Sequence, residues 1–335
     1  MTAGRRMLAA WGAAAAVAGV AAQAPFATQV VGFQTNGNAG GGIFNPPNAL
    51  GAPQGALDVH SLGIGGELTL GLQTAITDGP GADFLVGENP FRLAGAADLV
   101  FAEVMFVEVS SNGVDFARFP ASYYGPATQP GPFGAVVVGS YSGLAGQTPV
   151  LLPSNPGADP QDVVEAGGDA FDLRDLAQHP LVLQQLVDLT NITQVRLVDV
   201  VSGQSLDHRS RPIFDPGSGS ADVDAITVVH QRGSVSQNGP SVELEIHMDG
   251  TARLRLEDPD GWSDLDPGSF RAALYGIPVP AAALFGSLQL VQADANGFTL
   301  VQPVPLPSNL LFTVAFALKD QAGHRSGQSR ARPAN

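Results

Sequence analysis

Short apolar or alternating runs, separated by clusters of Gly, Pro, Asn and Asp, recur along most of the chain after residue 24. Alternation places successive side chains on opposite faces of a strand, and a strand covered on both faces is apolar throughout. Short strands at regular spacing, with turn signals between them, are typical of a β-sandwich. The pattern predicts strands in the first unit, residues 25–233, at 67–72, 83–86, 99–110, 114–119, 195–201 and 223–230.

Two segments of this first unit depart from the strand pattern. Residues 172–189 have helical spacing, but Pro180 must break or restart any helix there. Residues 121–168 are rich in Gly, Pro, Ser and Asn and are too long for a plain connection. We therefore expect surface loops around one or two strands, such as 135–138.

A second unit is predicted at 241–335, after a polar, turn-rich linker at 234–240. Its first two strands are separated by Asp249-Gly250, a strong turn signal. A three-residue loop, 249–251, would pair Ile246 with Leu254 and keep the apolar residues on one face, so we predict this register. About 95 residues of strands without a helix suit an immunoglobulin-like sandwich. The later strands are predicted at 270–275, 288–291, 297–301 and 310–318.

The first 22 residues have the pattern of a secretory signal peptide. Arg5 and Arg6 precede an uncharged apolar run, and cleavage after Ala22 would leave Gln23 as the first residue. The paired arginines leave both the Sec and the twin-arginine routes open. The run is too short for a membrane span of about 20 residues, and no transmembrane segment is predicted later in the chain. We expect an exported protein, located at the cell surface, in the extracellular space or in the periplasm.

Amino-acid composition excludes several classes of partner and of chemical site. Asp and Glu number 31 against 16 Lys and Arg, and the resulting net charge of −15 disfavours nucleic acid and anionic membranes as partners. The chain has no cysteine, which excludes disulfides, thiolate metal sites and cysteine nucleophiles. Hydrophobic residues make up 44% of the chain, enough for packed cores.

An ordered set of motifs covers most of the first unit. They include SLGIGGELTL at 61–70, GPGADFLVGENPF at 79–91, VEVSSNG at 107–113 and DPGSGSADVDAI at 215–226. Together they resemble a bacterial "cell surface protein" family that is often found with PEP-CTERM sorting tails. The resemblance implies a secreted β-sandwich of the galactose-binding-like or jelly-roll kind, with no established activity.

The second unit carries a looser resemblance, to bacterial immunoglobulin-like domains. The matching pieces are DPGSF at 266–270, Tyr275-Gly276, and DQAGH at 320–324, where His324 replaces the customary Asn. The resemblance implies a smaller immunoglobulin-like β-sandwich after the first one.

Two acidic, glycine-rich segments predict a calcium site. The segment 78–89 supplies Asp78, Asp83, Glu88 and Asn89, and the segment 215–224 supplies Asp215, Asp222 and Asp224. The predicted ligands are Asp83, Glu88, Asp222 and Asp224. Ca²⁺ takes about six to eight oxygen ligands from carboxylates and loop carbonyls. Asp222 and Asp224 would share one face of a strand and repel each other unless a cation lies between them. Calcium is thus the candidate cofactor, with a structural role, while the alternative is turn-forming acids that accept backbone N–H groups.

Three further acids, Glu103, Glu108 and Asp199, lie within apolar runs. A buried carboxylate needs a partner, and Arg118 and Arg196 are the obvious candidates. For these three we favour structural pairing with arginine over metal binding.

Enzyme signatures are weak. The six histidines lack zinc-motif spacing, and GSYSG at 139–143 has tyrosine where a nucleophile elbow needs serine.

We predict a non-catalytic surface or extracellular module for adhesion or recognition, stabilised by calcium, whose partner is an extracellular glycan or protein. The alternative is a carbohydrate-binding module of the cell surface or of a polysaccharide-degrading system, and a hydrolase comes third. Tyr123, Tyr124, Tyr141 and Trp262 are candidates for stacking on sugars, although packing under loops would also explain them.

Overall fold

A computed structural model describes residues 25–331 except 37–43, 56–57, 218, 235–238, 248, 281–282, 284–285, 287 and 307–310. The predicted signal peptide at 1–22 and most of the predicted linker at 234–240 therefore lie outside the described residues. No helix within the described ranges is long and apolar enough to cross a membrane.

The regular secondary structure of the described chain is mostly β-strand. One α-helical turn, α1, spans Pro180–Leu183, and short 3-10 turns lie at Pro46–Ala49, Leu152–Ser154, Leu173–Leu176 and Trp262–Asp264. The strands are β1 (Ala27–Gln34), β2 (His60–Ser61), β3 (Glu67–Ile76), β4 (Phe84–Glu88), β5 (Phe91–Arg92), β6 (Leu99–Phe101), β7 (Met105–Ser110), β8 (Ala117–Arg118), β9 (Ser122–Tyr123), β10 (Val136–Val137), β11 (Tyr141–Ser142), β12 (Leu144–Ala145), β13 (Asp169–Phe171), β14 (Ile192–Asp199), β15 (Asp222–Val228), β16 (Ser241–Ile246), β17 (Ala252–Glu257), β18 (Leu265–Leu274), β19 (Ile277–Val279), β20 (Gln289–Ala293), β21 (Gly297–Val301), β22 (Thr313–Asp320) and β23 (Arg325–Ala331).

Two antiparallel sheets of the first unit share one core. The larger has the strand order β1-β3-β14-β7-β12 with β8 beside β7, and the smaller has the order β13-β4-β15-β2. Leu68 and Leu70 of β3 are fully buried together with Phe84 of β4 and Ile226 of β15. The prediction of an all-β sandwich is confirmed, whereas its galactose-binding-like or jelly-roll character stays a prediction.

The prediction of one continuous strand over 99–110 is wrong. The segment forms β6 and β7, which belong to different sheets. The strand breaks at 102–104, where the Val104 N–H points to the Asp215 carboxylate, 3.4 Å away. An apolar run cannot reveal such a break, because the residues on both sides of it are buried.

The helical prediction for 172–189 holds only in part. The chain forms the 3-10 turn Leu173–Leu176, and α1 then starts at Pro180. The proline therefore restarts the helical chain, as its ring and missing N–H require.

The second unit contains two four-stranded antiparallel sheets. Their orders are β16-β17-β21-β20 and β19-β18-β22-β23. The core between them includes the buried residues Val242, Leu254, Leu256 and Phe316. Each sheet of the structure draws its strands from only one side of 235–238, although the division into two domains stays a prediction.

The predicted register of the β16–β17 hairpin is wrong by two residues. Ile246 pairs with Ala252, and Leu244 pairs with Leu254. The turn lies one residue earlier than predicted, because the His247 N–H donates to the Thr251 carbonyl and the Asp249 carboxylate accepts from the Thr251 N–H. Apolar residues still meet apolar residues, so the displaced turn satisfies the buried face equally well.

The two predicted units contact each other through ion pairs. Asp159 of the first unit accepts Lys319 Nζ at 2.8 Å and Arg325 Nη1 at 2.6 Å. Glu165 accepts Arg271 Nε at 2.9 Å. Small apolar residues from both units pack beside these pairs.

Candidate metal centre

Acidic side chains of the first sandwich gather where several strands end. Glu88 ends β4, and Asp222 begins the antiparallel neighbour β15, so the two lie at the same end of their sheet. Asp199 ends β14 opposite Met105, and Glu103 lies two residues before that methionine. Antiparallel pairing thus places the ends of both sheets of the sandwich near one another. We name Glu88, Glu103, Asp199, Asp215 and Asp222 the acidic cluster.

Glu88 is the most deeply buried acid of this cluster. Its side chain is 2% exposed, and Oε1 accepts the Asp222 N–H at 3.1 Å. Oε2 has no hydrogen-bond partner among the described residues. Burial, followed by the negative charges of Asp222, Glu103 and Asp169, raises the pKa of Glu88 well above its ordinary value.

Glu103 is the second acid with a free oxygen. It is 9% exposed, and its Oε1 also lacks a hydrogen-bond partner within the described part of the chain. Burial raises the pKa of Glu103 to about 8, and the charges of Asp222, Asp215 and Asp199 add to the shift. Its carboxylate lies against Gly219, where a Cβ atom would stand 2.3 Å from Oε1.

The three aspartates of the cluster are partly satisfied by the protein. Asp199 accepts N–H groups from Gly65 at 2.8 Å and from Ala221 at 2.9 Å. Burial raises the pKa of Asp199 and of Asp215 to about 7 in each case. Burial also raises the pKa of Asp222, which hydrogen bonds with Ser61 and Asn89 oppose.

The acidic cluster contains no matching cation. No Lys, Arg or His in the described ranges forms an ion pair with any of its five members, although fourteen ion pairs occur elsewhere in those ranges. Carboxylates removed from water and crowded together must take up protons or bind a cation. The raised pKa values correspond to the uptake of protons, and the binding of a metal ion is the alternative.

Asp83, a predicted ligand, lies outside the acidic cluster. Its Oδ1 accepts the Gly79 N–H at 2.8 Å and lies 2.8 Å from His230 Nδ1. Its Oδ2 accepts the Leu173 N–H at 2.7 Å. Burial raises the pKa of Asp83 to about 7 against the opposing effect of His230. Protein donors thus occupy both oxygens, and the carboxylate anchors the segment before β4.

Asp224, another predicted ligand, is also held by backbone N–H groups. Gln54 and Gly55 donate to its two oxygens at 2.9 and 2.7 Å. A register shift between Val223 and Ala225 gives β15 an extra residue at this point. Such a bulge disturbs the two-residue alternation. Asp222 and Asp224 accordingly have different partners, and only Asp222 joins Glu88.

The closest carboxylate groups of the described chain lie elsewhere. Oxygens of three residues come within 4.8 Å of one another at Asp78, Asp83 and Asp172, and again at Asp258, Asp264 and Asp320. The acidic cluster is therefore more open than either group, so an ion there would also need water or main-chain oxygens as ligands. In the first group, His230 contacts Asp83, and Arg330 lies 3.7 Å from Asp172, so side chains of the protein already contact these acids.

The expected pairing with arginine is confirmed for Glu108. Its Oε1 accepts Arg118 Nε at 2.7 Å, and its Oε2 accepts Arg196 Nε at 2.5 Å. The same expectation is wrong for Glu103 and Asp199, because no described arginine forms an ion pair with either. These two acids belong to the acidic cluster instead. Their lack of a cation is the signal that sequence reasoning missed.

The aromatic candidates for sugar binding are mostly inside the protein. Tyr141 is fully buried and donates to the Phe214 carbonyl, and Tyr123 is 5% exposed and donates to the Pro126 carbonyl. Trp262 differs, with 57% of its surface exposed. Comparison with protein-family models and with curated proteins finds no match to this chain.

Proposed function

We propose that this protein is an exported, non-catalytic module of the cell surface or extracellular space, which binds a partner and is stabilised by calcium. The observation that carries the proposal is the acidic cluster, five carboxylates without a described cation. The predicted signal peptide and the strongly acidic composition support export and an extracellular role.

Calcium is the cation that suits this cluster. All five side chains offer oxygen, and none offers nitrogen or sulfur, which disfavours zinc and copper. Calcium accepts irregular sets of about six to eight oxygens, including water and carbonyls, whereas magnesium demands tighter octahedral geometry. The open spacing of the carboxylates therefore favours calcium over magnesium.

A bound ion would link strands that are distant in sequence. Glu88 and Asp222 belong to the smaller sheet, while Glu103 and Asp199 flank the larger one. Ligand binding to the folded state alone stabilises it by RT ln(1 + [L]/Kd), about 2.7 kcal/mol at a hundredfold excess over Kd. Extracellular calcium modules bind in the range of about 10⁻⁴ to 10⁻³ M, which fits an exported protein.

A carbohydrate-binding module is the second candidate, and exposed Trp262 is the observation that favours it. An exposed aromatic ring on a loop can stack on a sugar ring. A glycan array with the mature protein and its Trp262→Ala variant separates the candidates. A carbohydrate-binding module would bind a defined glycan through this residue, whereas the surface module need not bind any sugar.

Calorimetric titration of the full mature chain, starting at Gln23, tests the calcium proposal. We expect heat of calcium binding and a melting temperature that is higher by about 5 °C in excess calcium than in chelator. Magnesium should raise it less. The double variant Glu88→Gln/Glu103→Gln retains size and removes both negative charges, so it should lose most of this calcium response.

The matched control is Glu243→Gln/Glu245→Gln, which removes two exposed charges from β16. It should respond to calcium as the original protein does. If the Glu88/Glu103 variant binds calcium with the same heat and the same melting shift as the control, the acidic cluster does not bind calcium and the proposal fails.

A further inference from the structure

Three aspartates of the second unit meet where β22 ends. Asp258 directly follows β17, Asp264 ends the 3-10 turn that begins at Trp262, and Asp320 is the last residue of β22. Leu265 pairs with Asp320, so the register of β18 and β22 brings Asp264 beside the end of β22. One oxygen from each aspartate lies within 4.8 Å of the others.

The loop that carries Asp258 is fixed by its own backbone. The Asp258 N–H donates to the Asn296 carbonyl at 2.8 Å, and the Gly261 N–H donates to the Asp258 carbonyl at 3.0 Å. Gly261 has a φ of +109°, a conformation that favours glycine. The Gln321 N–H donates to the Asp264 carbonyl at 2.8 Å, which ties the loop to the turn after β22. Main-chain contacts therefore hold the loop that carries Asp258 and Asp264 and join it to the turn after β22.

Asp258 supplies an independent sign of a missing ligand. The residue is fully buried, and its Oδ1 accepts the Asp260 N–H at 2.8 Å. Its Oδ2 is buried and has no hydrogen-bond partner in the described part of the chain. A buried carboxylate oxygen without a donor is costly unless a proton or a cation reaches it.

Asp320 has a basic partner among the described residues, whereas Asp258 and Asp264 have none. His324 contacts Asp320 alone, with its Nδ1 2.5 Å from Oδ2 and its N–H 2.8 Å from Oδ1. No Lys or Arg of the described ranges forms an ion pair with Asp258 or Asp264. Burial, with the charges of Asp264 and Asp320, raises the pKa of Asp258.

We propose that Asp258, Asp264 and Asp320 form a second divalent-cation site, of the calcium class, in the second unit. The ligands are carboxylate oxygens on short loops, which is the chemistry that calcium prefers. When the ion binds, Oδ2 of Asp258 coordinates it, and the ion supplies the positive charge that balances the carboxylates. This site is independent of the acidic cluster in the first unit and stands whether or not that cluster binds calcium.

The site also adjoins the contact between the two units. Lys319 precedes Asp320 and Arg325 follows the 320–324 turn, and both contact Asp159 of the first unit. An ion bound at Asp320 would order this turn and so hold both cations in position for Asp159. Occupancy of the second site therefore favours a fixed arrangement of the two units.

Trp262 makes this site separately observable. It lies between Asp258 and Asp264, and the other of the two tryptophans, Trp11, belongs to the predicted signal peptide. Terbium(III) is a luminescent substitute for calcium that gains energy from a nearby indole. In the mature chain, terbium luminescence excited through tryptophan therefore reports the second site and not the acidic cluster.

The experiment titrates terbium into the full mature chain, with selective excitation of tryptophan. We expect saturable luminescence that excess calcium displaces. Asp258→Asn and Asp264→Asn should each weaken terbium binding by about tenfold or more. Asp264 is half-buried, so its variant keeps the test valid if Asp258→Asn does not fold, as judged by circular dichroism.

Two controls complete the design. Glu245→Gln removes an exposed acid of the same unit and should bind terbium normally. Glu88→Gln/Glu103→Gln should give the same tryptophan-excited terbium luminescence as the original protein, because this signal reports only the second site. The proposal is overturned by luminescence that never saturates, that calcium does not displace, or that both aspartate variants retain at full affinity. Loss of calcium binding at the acidic cluster with normal terbium luminescence would instead refute only the proposal for the first unit.

Discussion

Glu88 and Glu103 differ from the other described buried acids of the first unit in the hydrogen bonds that their oxygens accept. Each has one oxygen with no hydrogen-bond partner among the described residues. Asp83 and Asp224 have donors at both oxygens. The sequence could show that these acids lie in glycine-rich segments, but it could not show which of them lacked donors. The donors come from far away, as Gln54 does for Asp224 across 170 positions.

Gly219 offers a test that leaves every charge in place. A Cβ atom at this position would stand 2.3 Å from Glu103 Oε1, closer than real atoms approach. Gly219→Ala should therefore push the Glu103 carboxylate aside and lower calcium affinity by about tenfold, as loss of ligand orientation does in metal sites. Calorimetric titration measures the change.

The control for this variant is Gly131→Ala, where a Cβ atom would meet nothing within 4 Å. It should bind calcium as the original protein does. Equal calcium affinities for the two glycine variants would show that the position of Glu103 does not matter for binding.

The strands themselves are the part that sequence predicted best. Alternation identified β3, β14, β15 and β21 within a few residues, because each has a buried face. It missed the break at 102–104 and the bulge near Asp224, and at both places the chain makes a long-range hydrogen bond that alternation does not encode. These two irregularities place Glu103 in the acidic cluster and Asp224 outside it. The site therefore depends on the features that periodicity cannot show.

Three strands of the larger sheet are joined by one carboxylate. Glu108 of β7 lies opposite Arg118 of β8 and Arg196 of β14 in the sheet register. Removal of a buried ion-pair partner leaves the remaining charges unpaired. Glu108→Ala should therefore lower the free energy of unfolding by about 2–3 kcal/mol. Urea unfolding of the mature chain measures this loss.

Arg118→Ala is the comparison for that variant. The Arg118 side chain is 44% exposed, so its removal should cost only about 1 kcal/mol or less, and Arg196 would still neutralise Glu108. Equal losses for the two variants would contradict the view that Glu108 is the shared centre of this network.

At the scale of the whole molecule, acidic residues outnumber Lys and Arg by 31 to 16. Composition revealed the net charge of −15, and pattern revealed an all-β chain, since both depend on residue types along the sequence. Neither could reveal that Lys319, the single lysine, pairs with Asp159 across the two predicted units. That lysine is therefore not available as a partner for the acidic cluster.

The acidic cluster predicts how stability depends on pH. The pKa of Glu103 is about 8 and those of Asp199 and Asp215 are about 7 in the folded protein, against about 4 in an unfolded chain. Between these values the folded state holds protons that the unfolded state has released, so stability falls as pH rises. In chelator, the free energy of unfolding should fall by about 2 kcal/mol or more between pH 5 and pH 8.

Calcium should reduce this fall, because the ion replaces the protons as counter-charge. Other buried acids with raised pKa values, such as Asp83, contribute a part that calcium does not change. Chemical unfolding at several pH values, in calcium and in chelator, separates the two parts. If the free energy of unfolding falls with pH equally in calcium and in chelator, calcium has no role at the acidic cluster.

The crystal structure of the mature protein grown with calcium tests the central claim most directly. We predict an anomalous-scattering peak inside the acidic cluster, with oxygens of Glu88 or Glu103 and of Asp222 about 2.3–2.6 Å from the ion. A cluster without such a peak at millimolar calcium, with its carboxyl groups joined by hydrogen bonds to one another or to water, would show that protons neutralise it and would contradict the claim.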